Sequence, residues 1–196
     1  RKIMKIGIDL DGVLFDTEEY FRCSGELYDI EIGGGGMVKP NHIKMQYRYD
    51  WERKYFDDYI LKYLLEIERI APVKPYAKLV IEKLKEDGHK LICITSRGVL
   101  DDEEIEITKK RLKEEGIIFD KLFFAQANKV KCCQDEKIDV MIDDYFDFIQ
   151  SISNSGINCL YFRDNIQDDI INPYVRNVKN WGEVYRQISN LSKIKQ

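Results

Sequence analysis

Residues 3–13 read IMKIGIDLDGV, and this stretch decides the fold. Its first part, Ile3–Leu10, is a short apolar run with several isoleucines, which predicts a buried strand. Asp9 and Asp11 stand at its end and are followed by Gly12. Side chains two residues apart in an extended chain face the same side, and open parallel sheets bind ligands beyond the carboxyl ends of their strands. We therefore expect both carboxylates to meet one ligand.

The second half of the chain alternates apolar runs with helical patterns. The predicted strands are Lys90–Thr95, Lys121–Phe124, Ile138–Ile142 and Ile157–Phe162. The predicted helices are Tyr76–Asp87, Asp101–Glu115, Lys129–Glu136, Tyr145–Ser153 and Trp181–Leu191. Strands that alternate with helices of roughly 10 residues predict a parallel sheet covered on both faces. The fold class that we expect is α/β, a Rossmann-like three-layer parallel sheet.

Residues 17–72 interrupt this alternation directly after the first strand. Helical patterns extend over Asp16–Glu31 and Asp50–Ile70, with four glycines at positions 33–36 between them. The glycines match neither GxGxxG nor GxxxxGK[ST], so we interpret them as a flexible loop and not as a phosphate cradle. The domains that we expect are an α/β core, residues 1–16 and 73–196, and a small helical cap, residues 17–72.

The predicted strand Lys90–Thr95 ends at a threonine, and Ser96 and Arg97 follow directly after it. A hydroxyl group at the carboxyl end of a strand can donate to a phosphate oxygen, and so can the backbone N–H groups that follow it. Taken alone this pattern is common, because threonine is frequent in strands and serine in loops. Arg97 either reaches a substrate or pairs with Asp101 or Asp102, and the sequence leaves both interpretations open.

Two adjacent carboxylates, Asp143 and Asp144, follow the predicted strand Ile138–Ile142. Of the four adjacent aspartate pairs in the chain, this is the one that follows an apolar strand. Two like charges at the end of a buried strand are unfavourable unless a cation or hydrogen-bond donors neutralise them, so we interpret the pair as part of a metal site. Lys129 can neutralise both a carboxylate and a phosphoryl group, although Lys131 competes for this role and either can be a surface lysine.

Taken in order, these four sets of residues resemble the signature of the haloacid dehalogenase superfamily, in its phosphatases. The resemblance covers residues 3–144 discontinuously. Within the superfamily, the stretch from Asn128 to Asp144 is most similar to the 5′(3′)-deoxyribonucleotidase-like branch. The insertion after the first motif resembles the helical C1-type cap of that branch, and Trp181 at the head of the last predicted helix is compatible with it.

The resemblance implies a magnesium-dependent phosphomonoester hydrolase. By this resemblance Asp9 is the nucleophile that forms an aspartyl-phosphate, and Asp11 is the general acid and base. The implied magnesium ligands are Asp9, the backbone carbonyl of Asp11, and Asp143, while Asp144 acts through a bound water or orients the other ligands. The residues implied to hold the phosphoryl oxygens are Thr95, Ser96 and Lys129.

The substrate that the resemblance implies is a nucleoside or deoxynucleoside monophosphate. Another small phosphate ester, such as a sugar phosphate, is the alternative, and a non-catalytic phosphate-binding regulatory module is the alternative of another class. Aromatic residues of the predicted cap can stack on a nucleobase, but they can equally form the core of the cap. The candidate substrate contacts are Arg97, Tyr47, Tyr49 and Trp51.

Composition and charge limit the kinds of partner that we expect for this protein. The chain of 196 residues is 44% hydrophobic and has a net charge of −4, without a basic cluster, which argues against a nucleic-acid partner. The sequence has neither an apolar run of transmembrane length nor the apolar region of a signal peptide near its start. Five cysteines without paired spacing favour reduced thiols. We therefore expect a cytoplasmic protein that acts on a small molecule and has no membrane partner.

Overall fold

The protein is described by a computed structural model over residues 1–163 and 169–193. The predicted core range thus includes residues 164–168 and 194–196, which lie outside the described residues. The strands are β1 (Lys5–Ile8), β2 (Lys90–Ile94), β3 (Lys121–Phe123), β4 (Val140–Asp143), β5 (Asn158–Phe162) and β6 (Val175–Val178). The helices are α1 (Glu18–Glu31), a short 3₁₀ helix (Met45–Tyr47), α2 (Arg53–Ile70), α3 (Ala77–Glu86), α4 (Glu103–Glu115), α5 (Lys129–Asp135), α6 (Phe146–Asn154) and α7 (Trp181–Ser192).

The six strands form one parallel sheet in the order β3-β2-β1-β4-β5-β6. The strand β1 is central, since Ile6 is in register with Leu91 of β2 on one side and with Val140 of β4 on the other. The chain order along the sheet reverses at β1, and ligands of open α/β sheets bind at such a reversal, beyond the carboxyl ends of the strands. The topology therefore places the segment after β1 at the favoured binding edge.

Both faces of the sheet are buried. Side chains alternate between the faces along each strand, so Leu91 of β2 packs with α3 and α7, while its neighbour Ile92 packs with α5 and α6. The apolar side chains of β1 and β4 are fully buried in the same two clusters. This confirms the predicted α/β class with its three layers.

Residues 17–72, called the inserted segment below, contain α1, the 3₁₀ helix and α2. Aromatic rings form its interior, where Tyr28 packs edge-on against Trp51 and Tyr59. The buried carboxylate of Asp29 accepts hydrogen bonds from the Trp51 indole, at 2.7 Å, and from the backbone N–H of Gly36, at 2.7 Å. The glycine run predicted to be a loop is therefore fastened to α1 at one end. The division into core and cap domains stays a prediction.

Helix α7 supports the segment that follows β1. Asn180 caps the helix by accepting from the backbone N–H of Glu183 at 2.9 Å, and asparagine is one of the residues preferred at this position. The buried indole of Trp181 donates to the backbone carbonyl of Val13 at 2.9 Å. The last helix thereby fixes the loop that carries Asp9 and Asp11.

The edge strand β6 is not among the predicted strands. Its sequence is VRNV, and of these four residues only Val178 is buried, so it lacks the apolar run that marks the inner strands. Within the described ranges, the structure has no helix of a length and apolarity that would cross a membrane.

Candidate active site

The carboxyl ends of three neighbouring strands bring the predicted residues together. The backbone N–H of Asp9 donates to the carbonyl of Ile142 at 3.0 Å, which ties the end of β1 to β4, where Asp143 lies. On the other side Thr95 directly follows β2. The buried side chains of Asp9, Thr95 and Asp143 line one cavity.

A buried ammonium group joins two of these carboxylates. Lys129 Nζ lies 2.8 Å from Asp9 Oδ1 and 2.6 Å from Asp143 Oδ2, and its side chain is 1% exposed. Asn128 caps α5 by accepting from Val130 N, which places Lys129 in the first turn. Burial opposes the charge of Lys129, but Asp143 and Asp9 outweigh it and raise its pKa. The competing Lys131 instead pairs with Asp135 at the surface.

Three carboxylates crowd around this single ammonium group. Ligand oxygens of Asp9, Asp143 and Asp144 all lie within 4.8 Å of one another. Burial, and next the charge of Asp143, raise the pKa of Asp9 to about 7, although Lys129 opposes the shift. Burial and the charges of Asp9 and Asp143 raise the pKa of Asp144 well above its usual range. The cluster therefore carries more negative charge than the chain itself balances.

Gly12 permits this crowding. Its φ of +74° lies in the left-handed region, which favours glycine. A Cβ atom at this position would lie 1.9 Å from Asp144 Oδ2. The glycine of the first motif therefore makes room for the second carboxylate of the acidic pair.

Arg97 holds Asp11, which corrects the predicted pairing of this arginine with Asp101 or Asp102. Its guanidinium donates from Nε to Asp11 Oδ2 at 2.9 Å and from Nη2 to Asp11 Oδ1 at 2.6 Å. A third hydrogen bond runs from Nη1 to Thr108 Oγ1 at 2.9 Å. Arg97 thus pairs with neither Asp101 nor Asp102, and it does not line the first cavity, so its contact with a substrate stays a prediction.

Two further acidic side chains surround Arg97 in a second cavity beside the first. Glu68 Oε1, from α2, lies 3.6 Å from Arg97 Nε, and burial raises the pKa of Glu68 to about 9 against the opposing charge of Arg97. Glu104, from α4, accepts from the backbone N–H of Gly98, and burial raises its pKa to about 6. The side chains around the Arg97–Asp11 pair therefore come both from the sheet-containing core and from the inserted segment.

The two hydroxyl groups predicted to bind phosphate line the first cavity. Thr95 Oγ1 accepts from the backbone N–H of Arg97 at 3.1 Å, which leaves its own proton free to donate. Ser96 Oγ donates to the carbonyl of Gln126 at 2.9 Å. The Thr95 hydroxyl is therefore the better placed of the two for donation to a ligand.

The inserted segment closes the other side of the first cavity, which has a volume of about 320 Å³. The charged residues that the inserted segment contributes to the lining are Glu18, Lys44 and Arg48. The apolar residues that it contributes to the lining are Phe21, Ile43, Met45, Phe56, Ile60 and Leu64. The site is thus a small chamber with carboxylates at the sheet edge and a mixed apolar and basic surface opposite.

Three aromatic residues predicted as candidate substrate contacts lie elsewhere. Tyr49 stacks on Trp51, with ring centroids 4.3 Å apart, and both belong to the interior of the inserted segment. Tyr47 is 51% exposed and packs edge-on against His42. The lining of the cavity includes Phe56 but none of these three residues. Aromatic spacing alone could not distinguish the interior of a small helical unit from its binding surface.

Four charged residues that line the cavities were not predicted: Lys44, Arg48, Glu68 and Glu104. None of them belongs to a motif, and charged residues are normally solvated, so the half-buried position of Lys44 and the burial of the other three depend on how the inserted segment packs. Only the structure shows that they face the two cavities.

Comparisons with known proteins define the fold. No protein-family model matches the chain, and no curated protein matches it in sequence. Solved structures do match: a haloacid dehalogenase-like hydrolase from Streptococcus pneumoniae is 15% identical over 95% of this chain and 98% of its own, with a TM-score of 0.71. A predicted phosphoglycolate phosphatase from Haemophilus somnus is 14% identical over 96% and 99%, with a TM-score of 0.65. A haloacid dehalogenase-like hydrolase from Xanthomonas campestris is 14% identical over 98% and 97%, with a TM-score of 0.61.

The chain therefore has the haloacid dehalogenase-like α/β fold. At these identities the similarity does not extend to activity, because one fold hosts many chemistries and function belongs to the site. The deoxyribonucleotidase-like branch and its C1-type cap stay predictions.

Proposed function

We propose that this protein is a magnesium-dependent phosphomonoester hydrolase that acts through an aspartyl-phosphate on Asp9. The observation that carries the proposal is the buried bridge from Lys129 to Asp9 and Asp143, with Asp144 in the same cluster. A nucleophilic carboxylate, a fixed cation and spare carboxylates for a metal ion are the parts that phosphoryl transfer requires.

The cluster fits magnesium. Mg²⁺ prefers hard oxygen ligands and is often held by one or two carboxylates; Asp9 and Asp143 would hold it, with the backbone carbonyl of Asp11 and with Asp144 in support. Burial, and next the neighbouring carboxylates, raise the pKa values of Asp9 and Asp144, and a divalent cation would stabilise both groups in their charged form. Bound there, magnesium would supply charge neutralisation for the approach of a carboxylate to a phosphate dianion.

The proposed chemistry proceeds in two steps. In the first, an Asp9 oxygen attacks phosphorus, the bond to the leaving oxygen breaks, and Asp11 donates a proton to that oxygen. In the second, Asp11 takes a proton from water, whose oxygen attacks phosphorus, and inorganic phosphate leaves while the Asp9 carboxylate is restored. Thr95, Ser96 and Lys129 would hold the phosphoryl oxygens. Arg97 positions Asp11 through its two hydrogen bonds.

For the substrate, we infer a small phosphate ester such as a sugar phosphate or hydroxy-acid phosphate. The chamber is at the lower end of the size range of ligand sites, and the structural neighbours include a predicted phosphoglycolate phosphatase. The inserted segment would act as the cap that excludes water.

A nucleoside monophosphate is the second candidate. Phe21 and Phe56 line the cavity and offer aromatic surface to a base. Tyr49 and Trp51, two of the residues predicted as candidate substrate contacts, are stacked on each other.

A panel assay tests the proposal. Phosphate release from nucleoside monophosphates, sugar phosphates and hydroxy-acid phosphates would be measured with magnesium and with excess chelator. We expect magnesium-dependent release that is strongest for the small non-nucleotide esters. Release confined to nucleotides would replace the substrate assignment, and no release from any ester would favour the non-catalytic phosphate-binding module.

A further inference from the structure

Arg48 is a buried cation with an unused hydrogen-bond donor, and it lines the same cavity as Asp9. Its Nε donates to the carbonyl of His42 at 2.7 Å, and its Nη2 lies 2.7 Å from Glu18 Oε1. Its Nη1 is buried and has no hydrogen-bond partner among the described residues. An unpaired buried donor is costly unless a ligand satisfies it.

The positive charge around Arg48 is also not fully balanced by negative side chains. Glu18 is shared, because its Oε1 lies 2.7 Å from Arg22 Nε as well as 2.7 Å from Arg48 Nη2. Burial lowers the pKa of Arg48, and the charge of Arg22 acts in the same direction against that of Glu18. Lys44 adds a third positive charge to this part of the inserted segment and also lines the cavity.

The carboxylates across the cavity belong to the sheet edge and not to the surroundings of Arg48. Asp9 and Asp143 share Lys129, Asp11 accepts two hydrogen bonds from Arg97, and Asp144 lies in the cluster that would hold magnesium. The remaining lining residues of the inserted segment are largely apolar and carry no negative charge apart from Glu18. The excess positive charge therefore faces a cavity in which an anion is the complementary ligand.

We propose that Arg48, with Lys44 on the same side of the cavity, binds a second oxyanion of the substrate, at the end away from the transferred phosphoryl group. The substrate class is then a small phosphate monoester that also carries a carboxylate or a second phosphate. This inference rests on the proposed function, because it assumes that the transferred group lies at Asp9. A neutral acceptor would satisfy Nη1 but would leave the excess charge unbalanced, so an anion fits better.

Binding to the Asp9→Asn protein in magnesium buffer tests this proposal without turnover. Isothermal titration would compare two matched pairs: 3-phosphoglycerate with glycerol 3-phosphate, and glucose 1,6-bisphosphate with glucose 1-phosphate. We expect the compound with the second anion to bind at least ~10-fold more tightly in one pair or both, the gain of a hydrogen bond to a charged group. The pair that shows the preference identifies the second anion as carboxylate or phosphate.

Variants in the same background assign the preference to its residues. Arg48→Gln should abolish it, and Lys44→Gln should reduce it in part. Arg22→Gln is the matched control, since it removes the other guanidinium on Glu18 but does not line the cavity, and it should retain the preference. Circular dichroism would check the folding of each variant.

Equal affinities within both pairs would overturn the inference, and so would a preference that survives in folded Arg48→Gln protein. If Arg48→Gln does not fold, an unchanged preference in Lys44→Gln has the same meaning. Failure of the proposed function would show differently, as absence of phosphate release by the chain with Asp9 intact, whatever the binding preference.

Discussion

Asp9 and Asp11 lie two residues apart in one loop, yet their surroundings differ. Asp9 is buried among carboxylates and shares the single ammonium group of Lys129 with Asp143. The side chain of Asp11 is 34% exposed and accepts two hydrogen bonds from Arg97. The chain itself balances the charge of Asp11, whereas around Asp9 it leaves negative charge in excess.

This difference fits the two separate roles that we propose for Asp9 and Asp11. Crowding of negative charge suits a position where a metal ion and a phosphoryl group are to be bound. A fixed guanidinium suits a carboxylate that must stay oriented while its proton moves. Divergent environments of two neighbouring acids are a general sign of separate roles in acid–base and nucleophilic chemistry.

The largest effect should come from Asp9→Asn. The amide cannot form the aspartyl-phosphate, so we expect phosphate release to fall by at least ~10³-fold while the fold is retained. Steady-state assays with magnesium would measure this loss. Asp135→Asn, at a surface pair with Lys131, is the control and should keep full activity. Normal turnover by Asp9→Asn would contradict the nucleophile assignment.

The second largest loss of activity should come from Gly12→Ala, which tests the crowded surroundings of Asp9. The new methyl group would collide with Asp144 and would strain a left-handed backbone, so we expect activity to fall by roughly 10²-fold and stability by about 1–3 kcal/mol. Urea unfolding and the phosphate assay would measure both. Gly35→Ala is the matched control, because nothing lies within 4 Å of its Cβ position. Equal behaviour of the two variants would refute the crowding described at Gly12.

Arg97→Lys tests the Asp11 side. Lysine keeps the charge but loses the forked pair of hydrogen bonds, so we expect a loss of about 10–100-fold for alkyl phosphates. The loss should be smaller for p-nitrophenyl phosphate, whose leaving group needs little protonation.

Arg111→Lys is the control for Arg97→Lys. Its guanidinium also lies 5.0 Å from the Phe15 ring but donates to backbone carbonyls near the end of α2. Arg111→Lys should lower the free energy of unfolding. It should not change the ratio of the hydrolysis rates for alkyl phosphates and p-nitrophenyl phosphate. A purely structural role of Arg97 would likewise leave that ratio unchanged.

The last prediction concerns the pH dependence of stability without metal. The folded pKa of Asp9, about 7, lies above the unfolded value near 4, so protonation stabilises the folded state. The contribution of Asp9 to the free energy of unfolding should fall by up to about 4 kcal/mol as the pH rises from about 4 to above 7. Asp9→Asn should lack this contribution, so its stability should fall less steeply with pH, while the contributions of Glu68, Glu104 and Asp144 remain. Urea unfolding in chelator at several pH values would measure it, and parallel curves for the two proteins would contradict the account.

The sequence was sufficient for the fold and for the sheet edge of the site. Buried strands have continuous apolar runs, and polar residues at their carboxyl ends stand out against them, which is why Asp9, Thr95 and Asp143 could be found. The structure brings them to one cavity. The strand β6 was missed because an edge strand with exposed polar residues has no such run.

The other side of the cavity was not predictable in the same way. Partners such as Asp11 for Arg97, or Asp29 for Trp51, depend on tertiary packing between segments that are separated in sequence. Periodicity places these residues on helices and loops but does not say which of them face each other. Arg48 illustrates the limit, since no motif surrounds it and only its burial and its unused donor mark it.

Capture of the phosphorylated enzyme tests the central claim most directly. The protein would be mixed with magnesium and a hydrolysed ester from the panel, quenched in acid within the first turnover, and digested for mass spectrometry. We predict that the peptide containing Asp9 gains the mass of one phosphoryl group, and that the Asp9→Asn protein shows no such gain. Turnover without a phosphorylated peptide, or a phosphoryl group on another residue, would contradict covalent catalysis by Asp9.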